Sequence, residues 1–351
     1  MRARVVIGAN FGDEGKGLMT DYLCAKEGAG MVVRFNGGCQ AGHTVCTPDG
    51  LRHVFQHFGS GSFLDVPTFL SQFFLLNPIM FFKELEELNK IGIDPVVYAH
   101  PSCLITTFAD MLINQELETQ RGAARHGSVG LGIGETYERS SLPHLKITMA
   151  DLWNNIPIES RLMEICNKYA AFRTGKPLRI MKDEMIEKFI KGCEKFADRV
   201  HPLGIAQCKD PIFEGAQGLL LDQNNKEFFP HVTRSNTGVQ NARLLCAQAG
   251  ITDIEAYYVS RTYLTRHGAG PLPGEDASMV YEDNTNVQHE FQGAIRFAPL
   301  DVDALMTRCV KDFGNTEFKL VLTHFDQHDL TIDHCDLYSH GPHRCDVEPN
   351  P

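Results

Sequence analysis

Short, unbroken apolar runs recur along the chain at Arg4–Ile7, Met31–Phe35, Pro95–Ala99, Pro211–Phe213, Ile254–Val259 and Lys319–Thr323. Their β-branched and aromatic content predicts strands, and the lack of apolar–polar alternation predicts strands covered on both faces. Between them, Phe81–Ile91 and Asp183–Arg199 read as helices. The alternation predicts an α/β fold: a mostly parallel central sheet with helices on both faces and ligand-binding loops at the C-terminal ends of the strands. The most apolar stretch, Phe69–Phe82, is broken by Gln72, Asn77 and Pro78, so it is expected to be core and is too interrupted to cross a bilayer. Residues Asn114–Ser141, rich in Gly, Arg and polar side chains, predict a long functional loop. With no internal repeat and no Pro/Gly/Ser linker, a single domain over residues 1–351 is expected.

Composition narrows the function. The 351 residues are 43% hydrophobic and 22% charged, which suits a folded globular chain. A net charge of −11 excludes a general nucleic-acid surface, because phosphate backbones are gripped by clustered Lys and Arg. Met1-Arg-Ala-Arg-Val-Val-Ile-Gly leads straight into a strand without an apolar signal region, and neither export nor a membrane partner is expected. Eleven scattered cysteines without a CxxC pair point to a reducing compartment, the cytoplasm. His334, Cys335, His340, His343 and Cys345 crowd together, yet their spacing matches no common structural zinc site.

The candidate chemistry lies in loops that follow strands. Strand one ends in Gly8-Ala-Asn-Phe-Gly12-Asp13-Glu14-Gly15-Lys16-Gly17, followed by a helix-compatible segment. Small residues let backbone N–H groups approach phosphate oxygens, a helix N-terminus adds positive potential, and Lys16 can neutralise a β/γ-phosphate. This is not a Walker A sequence, since Asn10 and Gly17 stand where that motif has its first glycine and its hydroxyl residue. A P-loop kinase or GTPase switch is therefore the weaker reading. A second loop, Arg34-Phe-Asn-Gly-Gly-Cys-Gln40-Ala-Gly42-His43-Thr44, follows the next strand and is expected to reach the same sheet edge. Asp13 and His43 could then face one ligand, with an acid removing a proton at one position and an imidazole stabilising charge at another.

Together the two loops, GDEGKG and then NGGxxAGHT, resemble the adenylosuccinate synthetase family. The likeness continues in order through Glu214-Gly-Ala-Gln217, Pro230-His-Val-Thr233-Arg-Ser-Asn-Thr237, Leu264-Thr-Arg-His-Gly-Ala-Gly-Pro-Leu-Pro273, Thr323-His-Phe-Asp326 and Ser339-His-Gly341-Pro342-His-Arg344. The resemblance implies a P-loop-like synthetase fold, shortened in its C-terminal part, and a two-step reaction. A nucleoside triphosphate, GTP or ATP/dATP, first phosphorylates the purine 6-oxygen; the amine of L-aspartate then displaces phosphate. By the same resemblance Asp13, His43 and Lys16 are catalytic, and Gly12, Glu14, Gly15, Lys16, Gly17, Gly42, His43, Thr44, Asp326, Gly341 and Pro342 hold the triphosphate. Asp13, Asn36, Gln40, Ser128, Val129, Gln217, Thr233 and Arg139 hold the monophosphate nucleotide. Mg²⁺ takes an oxygen of Asp13 and the carbonyl of Gly42. A homodimer is implied too, with Arg121, Arg125 or Arg139 crossing the interface.

Three departures from the family pattern bear on the substrate. The loop Ser128-Val-Gly-Leu-Gly-Ile-Gly-Glu135 is rebuilt, so Val129 cannot donate the hydroxyl bond of the usual Thr. His324 stands where a lysine usually packs on the donor base. The aspartate loop is represented by Gln292-Gly-Ala294-Ile295-Arg296, in which Arg296 is the expected carboxylate clamp, flanked by Ala294 and Ile295. Short chains with such loops look like the phage branch that uses dGMP and makes 2-aminoadenine, although Asp13 is kept where that branch typically has Ser. The monophosphate is therefore expected to be dGMP, with IMP as the alternative.

Overall fold

The structure is a computed structural model that describes residues 1–178, 182–283, 285–286, 293–315, 317–330, 332 and 335–350. Gln292 and His334 lie outside the described residues. Among the described residues, ten strands form one sheet. In spatial order they are β14 (Val347–Pro349), β13 (Leu337–Ser339), β12 (Lys319–Thr323), β9 (Asp253–Arg261), β1 (Arg2–Gly8), β8 (Pro211–Glu214), β2 (Met31–Arg34), β5 (Thr68–Leu70), β6 (Val97–Ala99) and β7 (His201–Pro202). All neighbours are parallel except β13 and β14. Two antiparallel hairpins stand apart from the sheet, β3 (His43–Cys46) with β4 (Arg52–Phe55), and β10 (Tyr263–His267) with β11 (Ile295–Pro299).

The unbroken apolar runs explain the layering. Along β1, Val5 and Ile7 join Val33, Phe213 and Leu322 under the helices Gln240–Gln248 and Val302–Phe313. Val6 points the other way, to Val32, Ile212, Val259 and the helix Lys16–Glu27. Each such side chain contributes about 1.5–3 kcal/mol when fully buried, so the central strands are held from both faces. A third apolar cluster gathers Phe58, Phe81, Phe108, Ile147 and Phe196 beneath the helices Pro78–Lys90, Phe108–Arg121 and Lys182–Arg199. No helix among the described residues is long and apolar enough to cross a membrane.

Five parallel strands end at one edge, at Gly8, Arg34, Glu214, Arg261 and Thr323. From β1 the chain proceeds to β2 and β8 on one side and to β9 and β12 on the other, so the strand order reverses there. A reversal of this kind opens a crevice beyond the carboxyl ends, which is where α/β sheets hold ligands.

The expected long loop over Asn114–Ser141 is largely helical. Asn114 lies in the helix Phe108–Arg121, which opens with a capping box between Thr107 and Asp110, and Ile133–Ser140 forms a second helix. Only residues 125–132 between them are irregular. The polar residues that suggested a loop are partners of buried charge. Arg139 is fully buried, with Nε donating to Asp110 Oδ1 at 2.8 Å, Nη2 to Asp110 Oδ2 at 3.0 Å, and further bonds to the carbonyls of Ile105 and Leu145.

Asp110→Ala removes the N3 half of the capping box and the carboxylate paired with that guanidinium among the described residues, so a loss of about 3–5 kcal/mol is expected from urea unfolding. An unchanged urea midpoint would show that Arg139 does not depend on Asp110.

Candidate active site

The loop after β1 is shaped by close packing. A side chain at Gly8 would collide with the Glu14 carboxylate and the Gln217 carbonyl, so only glycine fits there. Gly12, Asp13 and Gly15 have φ of 94°, 58° and 94°. Such left-handed residues are typical of backbone that turns N–H groups toward an anion. The helix Lys16–Glu27 starts behind Gly15 without a side-chain cap, leaving its N-terminal donors for a ligand. Glu14 is buried, its carboxyl raised to about 7 by burial against the pull of Lys16.

The second loop meets the first through a buried carboxylate. Glu214, at the end of β8, accepts from the Ser60 hydroxyl and from Ser60 N at 3.1 Å, and lies 3.9 Å from Arg34 Nε. Its Oε1 is 2.7 Å from His43 Nδ1. Burial opposes ionisation of Glu214, but His43, Arg34 and the Ser60 bond outweigh it and hold its pKa below the usual range. Burial, helped by Arg34, lowers His43 to about 4 despite that carboxylate. The pair at neutral pH is thus a carboxylate and a neutral imidazole whose Nδ1–H it orients, while the buried Nε2 has no partner among the described residues.

Two cavities flank these loops. The first, about 360 Å³, is lined by Asp13, Glu14, Gly15, Lys16, Gly17, Gly42, His43, Thr44, Asp326, Gly341 and Pro342. All residues expected to hold the triphosphate are here except Gly12, which instead packs against the backbone of Gln217. The second, about 330 Å³, is lined by Gln40, Ser128, Val129, Gln217 and Thr233 of the expected monophosphate set. Each volume suits one nucleotide. The Gly12–Gln217 contact joins the cavities, with Asp13 on one side of it and Gln217 on the other. Both polar atoms of the Gln40 amide are buried without a hydrogen-bond partner among the described residues.

Other expected site residues sit elsewhere. Arg139 faces Asp110 and lines neither cavity, so its assignment to a nucleotide is corrected: the carboxylate and two carbonyls take four of its five N–H donors. Asn36 is fully buried as a staple, its amide donating to the carbonyls of Ala216 and Asn236 and accepting from Ala216 N at 2.7 Å. It fixes the loop that carries Gln40 and His43 rather than touching a cavity. Ala294, Ile295 and Arg296 lie on or beside β11 and line neither cavity; Arg296 donates to the carbonyls of Gly268 and Gly270 and to Glu275. Sequence reasoning missed Glu214 as the partner of His43, and Arg261, whose guanidinium is buried beside the first cavity. Glu214 stood inside a recognised motif, while Arg261 was hidden at the end of an apolar strand.

Among the described residues, no group of three His, Cys, Asp or Glu could hold a metal. The cysteine and histidines near the C-terminus have separate tasks: Cys335 Sγ donates to the Leu337 carbonyl, and His343 Nδ1 lies 3.1 Å from Asp346. Asp13 and the Gly42 carbonyl do share the first cavity and offer hard oxygen donors, as Mg²⁺ requires when phosphates complete its shell.

Residues 5–333 match the family model for adenylosuccinate synthetase. The chain is similar to the adenylosuccinate synthetase of Pseudomonas fluorescens strain SBW25, with 31% identity over 306 residues, covering 82% of this chain and 68% of that one. It is 32% identical to that of Lactobacillus acidophilus, covering 83% and 69%. Fully ligated adenylosuccinate synthetase from Plasmodium falciparum superposes with a TM-score of 0.73 at 21% identity, over 92% of this chain and 77% of that one. The succinoaminodeoxyadenylate synthetase of cyanophage S-2L, bound to dGMP and to dATP as an energy donor, superposes with a TM-score of 0.62 at 15% identity, over 100% and 95%.

Because the folded pKa of His43 lies below its ordinary 6.5, acidification protonates the unfolded chain first, and this group's share of stability falls as pH drops from 6.5 toward 4. Nitrogen NMR of the empty protein is expected to show a neutral His43 with its proton on Nδ1 at about pH 6, and a nucleoside triphosphate to raise its pKa by roughly one unit or more. A cationic His43 in the empty protein at that pH would contradict the assignment.

Proposed function

Because this chain belongs to the adenylosuccinate synthetase family of C–N bond-forming ligases, we propose that it joins L-aspartate to C6 of a purine nucleoside monophosphate with hydrolysis of a nucleoside triphosphate. The observation that carries this reading is the oriented His43 in the wall of one nucleotide-sized cavity, together with Asp13 and Lys16, while a second nucleotide-sized cavity lies beyond the Gly12–Gln217 packing. Asp13 takes the proton from purine N1, and charge develops on O6. O6 attacks the γ-phosphorus, the nucleoside diphosphate leaves, and His43 stabilises the transferring group through Nε2 once the phosphates have raised its proton affinity. The amine of aspartate then adds at C6, and phosphate departs with the former 6-oxygen. Asp13 and the Gly42 carbonyl would hold Mg²⁺, which would offset phosphate charge. Lys16 neutralises the phosphates from the protein side.

For the monophosphate we propose dGMP. Val129, Leu131 and Phe229 add apolar lining to the second cavity, and a sugar without a 2′-hydroxyl brings no hydroxyl that such side chains would leave unpaired. The dGMP-bound phage synthetase, matched along this whole chain, supports the same choice. IMP is the alternative. Asp326 reads the donor base, beside a His324 that burial, and then Arg261, lowers to about 3, so the base meets a neutral ring there. GTP, ATP and dATP are the candidate donors. Arg296, flanked by Ala294 and Ile295, is the proposed clamp for L-aspartate, whose carboxylate replaces the exposed Glu275. We place the enzyme in the cytoplasm as a homodimer, a reducing setting that suits eleven free cysteines. Arg121 and Arg125 are the remaining candidates for an arginine that crosses the interface.

Ligation of L-aspartate is expected with dGMP and little with IMP when each is supplied with Mg²⁺ and GTP, ATP or dATP, as read by mass spectrometry. The reverse preference would place the enzyme in ordinary AMP synthesis. Asp13→Ala and His43→Ala are each expected to lower kcat by about two decades or more. Near wild-type turnover in either variant would sink the mechanism.

A further inference from the structure

Asp13 is the one non-glycine residue with positive φ, 58°, in the loop 8–17. That conformation costs roughly 1–2 kcal/mol for an L-residue and persists only where its surroundings over-determine it. The determinant is Arg261, at the end of β9 and only 4% exposed. Its Nε donates to the main-chain carbonyl of Asp13 at 2.5 Å, its Nη1 to the Tyr263 hydroxyl at 3.1 Å and its Nη2 to Asp283 Oδ2 at 2.8 Å. Three bonds in three directions fix a planar guanidinium in place.

Asp283 is itself fixed. It accepts from Thr285 N at 3.0 Å and from Asn286 N and Nδ2 at 2.8 and 2.9 Å. Tyr263 is held on its far side by Gln327, its hydroxyl donating to Oε1 at 2.5 Å, and by the ring of Tyr281, stacked 4.1 Å away. Arg261 thus grips the Asp13 carbonyl from a frame anchored on β9, on Tyr281, Asp283, Thr285 and Asn286, and on the loop that carries Asp326.

We propose that Arg261, pinned by Asp283, is a positioning residue: by holding the Asp13 carbonyl it fixes the left-handed backbone and so the direction of the Asp13 carboxylate in the cavity. The inference rests on the reading of Asp13 as the base that removes the N1 proton. Freed from Arg261, the 13–14 peptide can rotate, and a displacement of about 1 Å at a catalytic group costs on the order of a hundredfold in rate. Lysine keeps the charge but cannot meet both the Asp13 carbonyl and Asp283 in Arg261's geometry.

The test uses the full chain with whichever monophosphate and donor the wild type accepts, and compares Arg261→Met, Arg261→Lys and Asp283→Asn with Asp13→Ala and the double variant Asp13→Ala/Arg261→Met. For Arg261→Met, kcat is expected to fall about a hundredfold with both nucleotide KM values within about threefold, because the lost interaction matters in the transition state. In the Asp13→Ala background the same change is expected to have almost no further effect on the residual rate, which a residue acting elsewhere would not reproduce. Unchanged kcat in Arg261→Met, or an equal loss with and without Asp13, overturns the proposal. If Arg261→Met does not fold, Arg261→Lys and Asp283→Asn decide, with kcat loss at constant KM supporting it and raised KM at constant kcat overturning it. Wild-type turnover in Asp13→Ala alone, or no ligation by the wild type with any pair, would instead remove the functional reading on which the inference stands.

Discussion

The structure turns on one buried carboxylate. Glu214 would be costly to ionise in the interior, and it is tolerated because Arg34, Ser60 and His43 converge on it. The convergence is written into the sheet: Arg34 and Glu214 are register partners in the parallel pairing of β2 with β8. A slip of either strand by one residue would put the two side chains on opposite faces of the sheet. Strand register, charge burial and the orientation of His43 are therefore one constraint, and the imidazole inherits its placement from the core.

From that point the rest of the site follows by close packing. Gly8, hemmed in by Glu14 and Gln217, lets the first loop cross the 214–218 turn, and Asn36 staples the second loop to that turn and to the Asn236 carbonyl. These contacts leave a cavity on each side of one shared wall. The partition explains why residues distant in sequence, such as Gln40 and Thr233, line one cavity while His43, three positions after Gln40, lines the other.

Much of this was legible in the sequence. The unbroken apolar runs became the central strands, and the two glycine loops marked the cavity that carries Lys16 and His43, because backbone conformation and strand burial are local properties. What was not legible depends on pairing at a distance. Glu214 meets His43 across 171 positions, so nothing local to either residue revealed it. Arg139 looked available for an anion until Asp110, on another helix, was seen to claim it. The same buried pair, with a capping box, turned a polar, glycine-rich stretch into two helices around a short loop. Arg261 ended a strand like any other charged residue, and only the left-handed Asp13 beside it shows what it holds.

The central claim is that the purine 6-oxygen is phosphorylated before aspartate adds. The most direct measurement is the fate of that oxygen. With the monophosphate labelled by ¹⁸O at position 6, the account predicts that the label appears in the inorganic phosphate released with each ligation. Unlabelled phosphate, with the label lost to water, would mean that the triphosphate is cleaved without transfer to O6, and would contradict the account.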